Sequence, residues 1–372
     1  MGSRSPVPDR GNRIRLSDHL PPKTQYPKPT PHTTERIGFL LMPEFPVYAF
    51  VLAIEALRVA NQNAGERLFS SHLLTGDGRP VAAGNGMTVV PDLAIADAPF
   101  LPTVLVFAGN HPEKHIKRAL LAWLRRLDRH GALIGAVDTG QFALAKAGLL
   151  DGYTVALHWE AMALFKEHFP HIEVRETLFA IDRNRITCAG GMATLDMMLH
   201  LVANRHGRAL AEVVANGLVH GRIRHDGERQ RVSAGDALGV VNHRLAAIVE
   251  TMEEHLEAPL STEALAAKAG ISVRQIERLM SETLGETPSR YYLKLRLQAA
   301  RNHLFYGDMP VQEIATATGF AAPAVLSRSF KARFGLSPRE FRRQFSGERL
   351  QRFRPEIRQQ LGLGAAATRA ER

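Results

Sequence analysis

Hydrophobic and polar positions change their spacing three times along the 372-residue chain. Residues 1–35 hold seven prolines (Pro6, Pro8, Pro21, Pro22, Pro27, Pro29 and Pro31) and little apolar periodicity, the pattern of a disordered arm. From Ile37 onward, short unbroken apolar runs alternate with segments of helical spacing. The runs at 36–42 (RIGFLLM), 103–108 (TVLVFA), 132–137 (ALIGAV), 154–157 and 185–189 predict strands. The segments at 48–61 and near 112–129, 139–147, 158–168 and 192–205 predict helices. Strands that are apolar along their whole length, alternating with helices, imply a parallel sheet covered on both faces. A folded α/β body is therefore expected over 36–225. Residues 226–239 (DGERQRVSAGDALG) break the pattern and predict a linker. Beyond it every strand signal stops, so 240–346 reads as an all-α domain and 347–372 as a disordered basic tail.

The all-α segment contains an internal repeat of about 50 residues. Leu265 and Gly270 recur as Ile314 and Gly319, 49 residues on, and Gly285, Pro288 and Tyr291 recur as Gly335, Pro338 and Phe341, 50 residues on. Each copy reads as a helix, a glycine turn, a second helix, a glycine stop and a proline-led helix. The first copy places them at 262–269, 270–272 and 273–284, the second at 311–318, 319–321 and 322–334. This is the grammar of a helix-turn-helix, in which the turn glycine takes a backbone conformation costly to other residues. On the second helices, Ile276 and Leu279, and Leu326 and Phe330, fall on the inward face. Arg274, Gln275 and Arg278 then face outward in the first unit, and Ala324, Ser327, Arg328 and Lys331 in the second. Arginine and glutamine can make bidentate contacts with base edges in a major groove, so double-stranded DNA is the expected partner. Pro323 opens its helix at a position that tolerates a missing N–H.

Charge supports that assignment. The net charge is +10, but residues 36–239 are balanced, with 21 basic and 20 acidic side chains. Residues 288–346 carry 10 basic and 3 acidic groups, against 4 and 8 in residues 240–287. Concentrated positive charge in a short helical segment points to a polyanion. The single cysteine, Cys188, excludes an internal disulfide framework and fits a reducing cytoplasm, the expected location. No apolar run approaches the ~18–20 residues of a membrane span, and no hydrophobic core follows Arg4 and Arg10, so neither a membrane partner nor a secretory signal is expected.

Candidate chemistry in the α/β body centres on Gly135-Ala136-Val137-Asp138-Thr139-Gly140, a strand-to-helix corner. A carboxylate at a helix N-terminus is favoured in its ionised form, so Asp138 could attract a cationic ligand group or could simply cap the helix behind it. Glu44, after the first strand, would add a second carboxylate at the carboxyl edge of the sheet, and Asn110 lies after another strand on the same edge. Phe45 and Trp159 are candidate cation–π walls. Cys188 (in RITCAGG) reads as a small buried hydrophobe. His111 and His115 are spaced for a metal, but no cluster completes four ligands, so both read as surface histidines, as do His168 and His171. No metal, cofactor or catalytic residue is expected.

Two resemblances sharpen these readings. The stretch ISVRQIERLMSETLGETPSRYYLKLRLQAAR with EIATATGFAAPAVLSRSFKARFGLSPREFR resembles the DNA-binding domain of the AraC/XylS family. The resemblance implies a long helix joining two helix-turn-helix units whose recognition helices enter successive major grooves. Ala322, Ala324 and Val325 make the second recognition helix less polar than in many relatives. Base reading is therefore expected mainly from the first unit, with Arg328 and Lys331 on phosphates. The corner followed by QFALAKAGLLDGYTVALHW resembles the nucleophile elbow of the ThiJ/PfpI, or class I glutamine amidotransferase-like, superfamily, whose fold is a flavodoxin-like parallel sheet. Enzymes of that superfamily carry cysteine where Asp138 stands.

Together these features resemble amidotransferase-like AraC regulators, whose members with an elbow aspartate respond to arginine, carnitine, glycine betaine and related methylated glycines. By that resemblance Asp138, Thr139, His158 and Thr194 would bind a small amine or amino-acid effector. The implied protein is a ligand-responsive homodimeric activator of amine or amino-acid catabolism genes that works with RNA polymerase. The competing expectation is an amidotransferase- or hydrolase-like enzyme fused to a DNA-binding domain.

Overall fold

The structure, a computed structural model, describes residues 34–230 and 243–345. The expected basic tail, nearly all of the proline-rich arm and most of the linker lie outside the described residues.

Eleven strands precede the all-helical part. They are β1 (Glu35–Leu41), β2 (Phe69–Thr75), β3 (Val81–Ala82), β4 (Thr88–Val89), β5 (Leu93–Ala94), β6 (Thr103–Ala108), β7 (Leu133–Asp138), β8 (Thr154–Ala156), β9 (Glu173–Arg175), β10 (Phe179–Asp182) and β11 (Arg185–Cys188). Seven of them form one sheet in the order β10-β11-β7-β6-β1-β2-β5. All neighbours in it are parallel except β10 and β11. Helices α1 (Val47–Ala64), α6 (Ala193–His206) and α7 (Arg208–Gly217) pack on one face around Phe39, Phe107 and Val137. The short α2 (Pro112–His115) is followed by α3 (Arg118–Arg129), α4 (Gln141–Lys146) and α5 (Met162–His168). Side chains of these last three pack on the other face against Leu40, Val106 and Ile134. Central strands are buried on both sides, which is why their sequences are apolar without alternation.

Several elements depart from the sequence pattern. The helix expected near 112–129 is interrupted where Ile116 and Lys117 take extended backbone. The run at 154–157 does form a strand, but β8 pairs with β9 in a separate two-stranded sheet. The following helix begins as a 3-10 turn at Trp159–Ala161. β2 (FSSHLLT) is a full member of the main sheet although Ser70, Ser71 and His72 interrupt its apolar run. The start of the expected linker is fastened down rather than free. Leu178 donates its N–H to Glu228 O at 3.0 Å, and Gln230 Nε2 donates to the carbonyls of Leu157 and Thr177 at 2.8 and 2.9 Å.

The C-terminal part consists of α8 (His243–Glu254), α9 (Thr262–Lys268), α10 (Val273–Leu284), α11 (Pro288–Tyr306), α12 (Val311–Ala317), α13 (Pro323–Phe334) and α14 (Pro338–Phe345). It has two small cores. Leu265, Ile276 and Met280 fill the first, and Ile314, Leu326 and Phe330 the second. The long α11 belongs to both, through Tyr292 in the first and Leu297, Ala300 and Leu304 in the second. Gly270 and Gly319, at φ 65° and 71°, make the two turns in the left-handed region. A Cβ on Gly270 would meet open space, whereas one on Gly319 would lie 2.4 Å from Leu256 O, so the second turn also seats against the first unit. The far end of α11 reaches the α/β body, where Tyr306 is buried in the core beneath α3, α4 and α5.

Candidate functional site

β7 ends on Asp138, in register with Ala108 of β6, and the chain turns sharply into α4. Asp138 adopts φ 66°, a left-handed conformation that is uncommon for a residue with a side chain. Buried hydrogen bonds hold the turn. Thr139 N–H donates to Ala108 O, and its hydroxyl donates to Gly109 O at 2.5 Å. Gln141, fully buried, donates from Nε2 to the carbonyls of Ala136, Ala156 and Cys188 at 3.3, 2.6 and 2.9 Å. One amide thus ties together β7, β8 and β11. Gly190, at φ 86°, lets the β11 turn approach closely, since a Cβ there would stand 3.0 Å from that of Asp138.

Asp138 is 8% exposed; among the described residues no donor bonds to its carboxylate, whose oxygens keep a narrow contact with solvent. It does not cap α4, whose N-cap is Gly140 with no side-chain hydrogen bond. Asp138 departs from the expectation that the helix N-terminus keeps it ionised. Burial, reinforced by the nearby Glu160 charge, pushes the Asp138 pKa up to about 8. Desolvation outweighs the helix dipole because no N–H group is aimed at the carboxylate and α4 is only six residues long.

The remaining proposed ligand residues divide into three groups. His158 and Trp159 lie beside the elbow, with His158 N–H donating to Asp138 O at 3.3 Å and the two rings stacked 6.0 Å apart. Thr139 and Thr194 are fully buried; Thr139 bonds inward as above, and the Thr194 hydroxyl lies 3.9 Å from Cys188 Sγ. Glu44 lines a different cavity, over the carboxyl ends of β1 and β2 and beside the segment after β6, and Asp138 is not among the residues lining it. Asn110 is half-buried between β6 and α2. Phe45 is completely buried with its ring edge-on to Phe50 at 5.7 Å, so it offers no open face to a cation. The position after β1 put it at the sheet edge, but its ring turned into the core.

Sequence reasoning missed Tyr48, Glu160 and the side chains of α11 that hold Glu160. Tyr48, at the start of α1, stands near Asp138, and burial followed by the charge of Asp138 raises its pKa. Glu160, in the 3-10 turn, accepts hydrogen bonds from three side chains of α11. Arg301 Nη1 lies at 3.0 Å and Gln298 Nε2 at 3.3 Å from Oε1, and the Tyr306 hydroxyl donates to Oε2 at 2.9 Å. The Tyr306 ring also lies 6.2 Å from that of His158. Tyr306 and Glu160 are 146 residues apart, and no local pattern signals such a pair. Cys188 is buried as expected, and burial pushes its thiol up to about 12, far from a reactive thiolate. His111 corrects another expectation. It is only 4% exposed, and burial holds its pKa down to about 4. Among the described residues no group of three His, Cys, Asp or Glu could hold a metal ion, and no helix is long and apolar enough to cross a membrane.

On the helix-turn-helix units, Arg274, Gln275 and Arg278 of α10 are exposed, as are Ala324, Arg328 and Lys331 of α13, while Ser327 is half-buried. Gln275 is already engaged. Its Oε1 accepts the Ser272 N–H at 2.8 Å while Ser272 Oγ accepts the Gln275 N–H, a capping box that the S-x-x-Q spacing could have revealed. Arg274 and Arg278 remain as the exposed cations of that helix, Arg278 with only a loose 3.9 Å pairing to Glu282. Arg296 of α11 turns inward instead. It donates to the Thr318 and Gly319 carbonyls at 2.8 and 2.5 Å and stacks over Phe320, bracing the second turn.

Comparison with known proteins agrees with this two-part architecture. The DJ-1/PfpI family model matches residues 35–204, and a helix-turn-helix domain model matches residues 265–344. HTH-type transcriptional regulator CdhR of Pseudomonas aeruginosa is 45% identical over 304 residues, 82% of this chain and 90% of its own length. HTH-type transcriptional regulator GbdR of the same species is 40% identical, over 87% of this chain and 86% of its own. HTH-type transcriptional regulator ArgR, also from that species, is 37% identical, over 84% and 94%.

Proposed function

From its place among the AraC-type transcription regulators with an N-terminal DJ-1/PfpI domain, the family to which this chain belongs, we propose that it switches gene expression in response to a small cationic or zwitterionic amine bound at Asp138. The chain is a DNA-binding transcription regulator and not an enzyme. The observation that carries the effector reading is the elbow aspartate, strained, buried and without a hydrogen-bond donor. A buried carboxyl group with no partner is costly, and an arriving cation would repay that cost by pairing with the ionised form. His158, Trp159 and Tyr48 flank the position, with Trp159 as the aromatic wall for an alkylated ammonium.

Glu160 supplies the coupling. It sits close enough to Asp138 to raise its pKa, yet its carboxylate is held from the DNA-binding side by Arg301, Gln298 and Tyr306. A cation at Asp138 competes with Arg301 for Glu160 and so favours one placement of α11 over another, the differential affinity that any switch requires. In this reading the protein acts as a homodimeric activator, with Arg274 and Arg278 reading bases, Arg328 and Lys331 on phosphates, and RNA polymerase as the downstream partner. A thermal-shift screen of full-length protein with L-arginine, carnitine, glycine betaine and sarcosine tests the effector site, because a specific ligand stabilises the native state by mass action. At least one should raise Tm in the wild type and none in Asp138→Asn. A shift of equal size in both would overturn the reading.

A further inference from the structure

A cavity of about 990 Å³ over the carboxyl ends of β1 and β2, closed on one side by the segment that follows β6, has no part in the Asp138 reading. It lies where the order of the sheet reverses, since β1 leads on to β2 on one side while β6 and β7 lie on the other. In open α/β sheets that crevice is where ligands bind. Glu44, following β1, and His111, following β6, line it, and both take left-handed backbone at φ 65° and 48°. Strain of this kind in residues with side chains persists where the surroundings enforce it, often at ligand sites. Both also present unsatisfied polar atoms. Glu44 Oε2 is buried with no hydrogen bond, and His111, nine-tenths buried, has none to Nδ1.

The rest of the lining tells which ligand would answer these groups. Lys114, Lys117 and Arg79 outnumber Asp77 among the other charged lining residues and put positive charge on the cavity, opposite in sign to Glu44. A carboxylate already touches the cationic side. Asp308, in the loop after α11, lies 3.1 Å from Lys114 Nζ and 3.9 Å from His111 Nδ1. It is an internal stand-in for an anion at that rim. We propose that this cavity is a second ligand site, for a small carboxylic acid bearing a hydroxyl or amine donor, with the carboxylate at Lys114 and His111 in place of Asp308 and the donor on Glu44. Because Asp308 belongs to the DNA-binding domain, filling the site removes one of that domain's contacts with the α/β body.

Calorimetric titration of the full-length protein with glycolate, L-lactate and L-serine tests this. The first two carry no cation, so a cation-binding site at Asp138 would not take them. At least one of the three should bind the wild type. Affinity should fall about tenfold or more in Lys114→Ala and in Glu44→Gln, as expected when a charged hydrogen bond is lost, and should rise in Asp308→Asn. Asp138→Asn should bind as the wild type does. Lys114 is half-exposed, so its replacement leaves the fold intact. Failure of all three acids to bind would overturn the proposal, as would wild-type affinity in both Lys114→Ala and Glu44→Gln. Loss of binding in Asp138→Asn alone would place the acid at the elbow and overturn it equally.

Discussion

Asp138 and Arg274 are both ionisable residues near the start of a helix, and the molecule treats them in opposite ways. Asp138 is buried at the end of a central strand, in a backbone conformation imposed by buried hydrogen bonds from Thr139 and Gln141. Arg274 lies on an ordinary capped helix and points to solvent. In the proposed reading the elbow keeps a buried polar group unpaired for a partner at a cost in stability, whereas α10 holds Arg274 and Arg278 exposed through local helix rules alone. Replacement at the elbow should therefore change ligand binding and stability together, and replacement on the recognition helix should change DNA binding only.

The largest effect is expected at the elbow. Asp138→Asn should weaken effector binding by about 2–5 kcal/mol, the usual range for losing one partner of a buried charge pair. The same variant should be more stable than the wild type when no ligand is present. The folded-state pKa of Asp138 lies well above its ordinary value. Its contribution is therefore fully present below about pH 4 and is lost as pH rises through about 8. The Tm advantage of Asp138→Asn should accordingly grow with pH, reaching about 4 °C or more at pH 8.5. The same Tm difference between Asp138→Asn and the wild type at pH 5 and at pH 8.5 would contradict this.

On the DNA side the effects should be smaller and of two kinds. Arg274→Ala and Arg278→Ala should each lose about 1–3 kcal/mol of discrimination at defined operator positions, with Tm unchanged. Arg328→Ala and Lys331→Ala should instead weaken binding to all sequences and each reduce the salt slope by about 1. Operator titrations at several salt concentrations separate the two patterns. The caps give the smallest effect. Ser272→Ala should cost about 1 kcal/mol by removing the capping box. Ala322→Ser should stabilise by a fraction of that, because α13 has no side-chain cap. Denaturant unfolding reads both.

How much of this was legible in the sequence follows the same division. The helix-turn-helix units are local objects, and their glycines, inward Ile276 and Phe330 and outward arginines fell where the repeat placed them. The main strands were equally clear wherever both faces are buried, as in TVLVFA. β2 was missed because serines and a histidine occupy a strand of the main sheet, and β8 could not be assigned to a sheet because pairing is not encoded within one segment. Asp138 could be singled out by the corner it occupies, but its protonation could not, since that depends on burial by distant chain. Glu160, Arg301 and Tyr306 meet only in the folded molecule. Phe45 shows the limit of topology, which places a residue at an edge without saying which way its ring turns.

In the proposed switch, Asp138 is a neutral acid that ionises when a cation arrives. Calorimetric titration of the full-length protein near pH 6.5, with the effector found by thermal shift and two buffers of different ionisation enthalpy, tests it most directly. Close to one proton should be released on binding, with affinity rising as pH approaches 8 and flattening above it. Binding without proton release, or at unchanged affinity in Asp138→Asn, would contradict it.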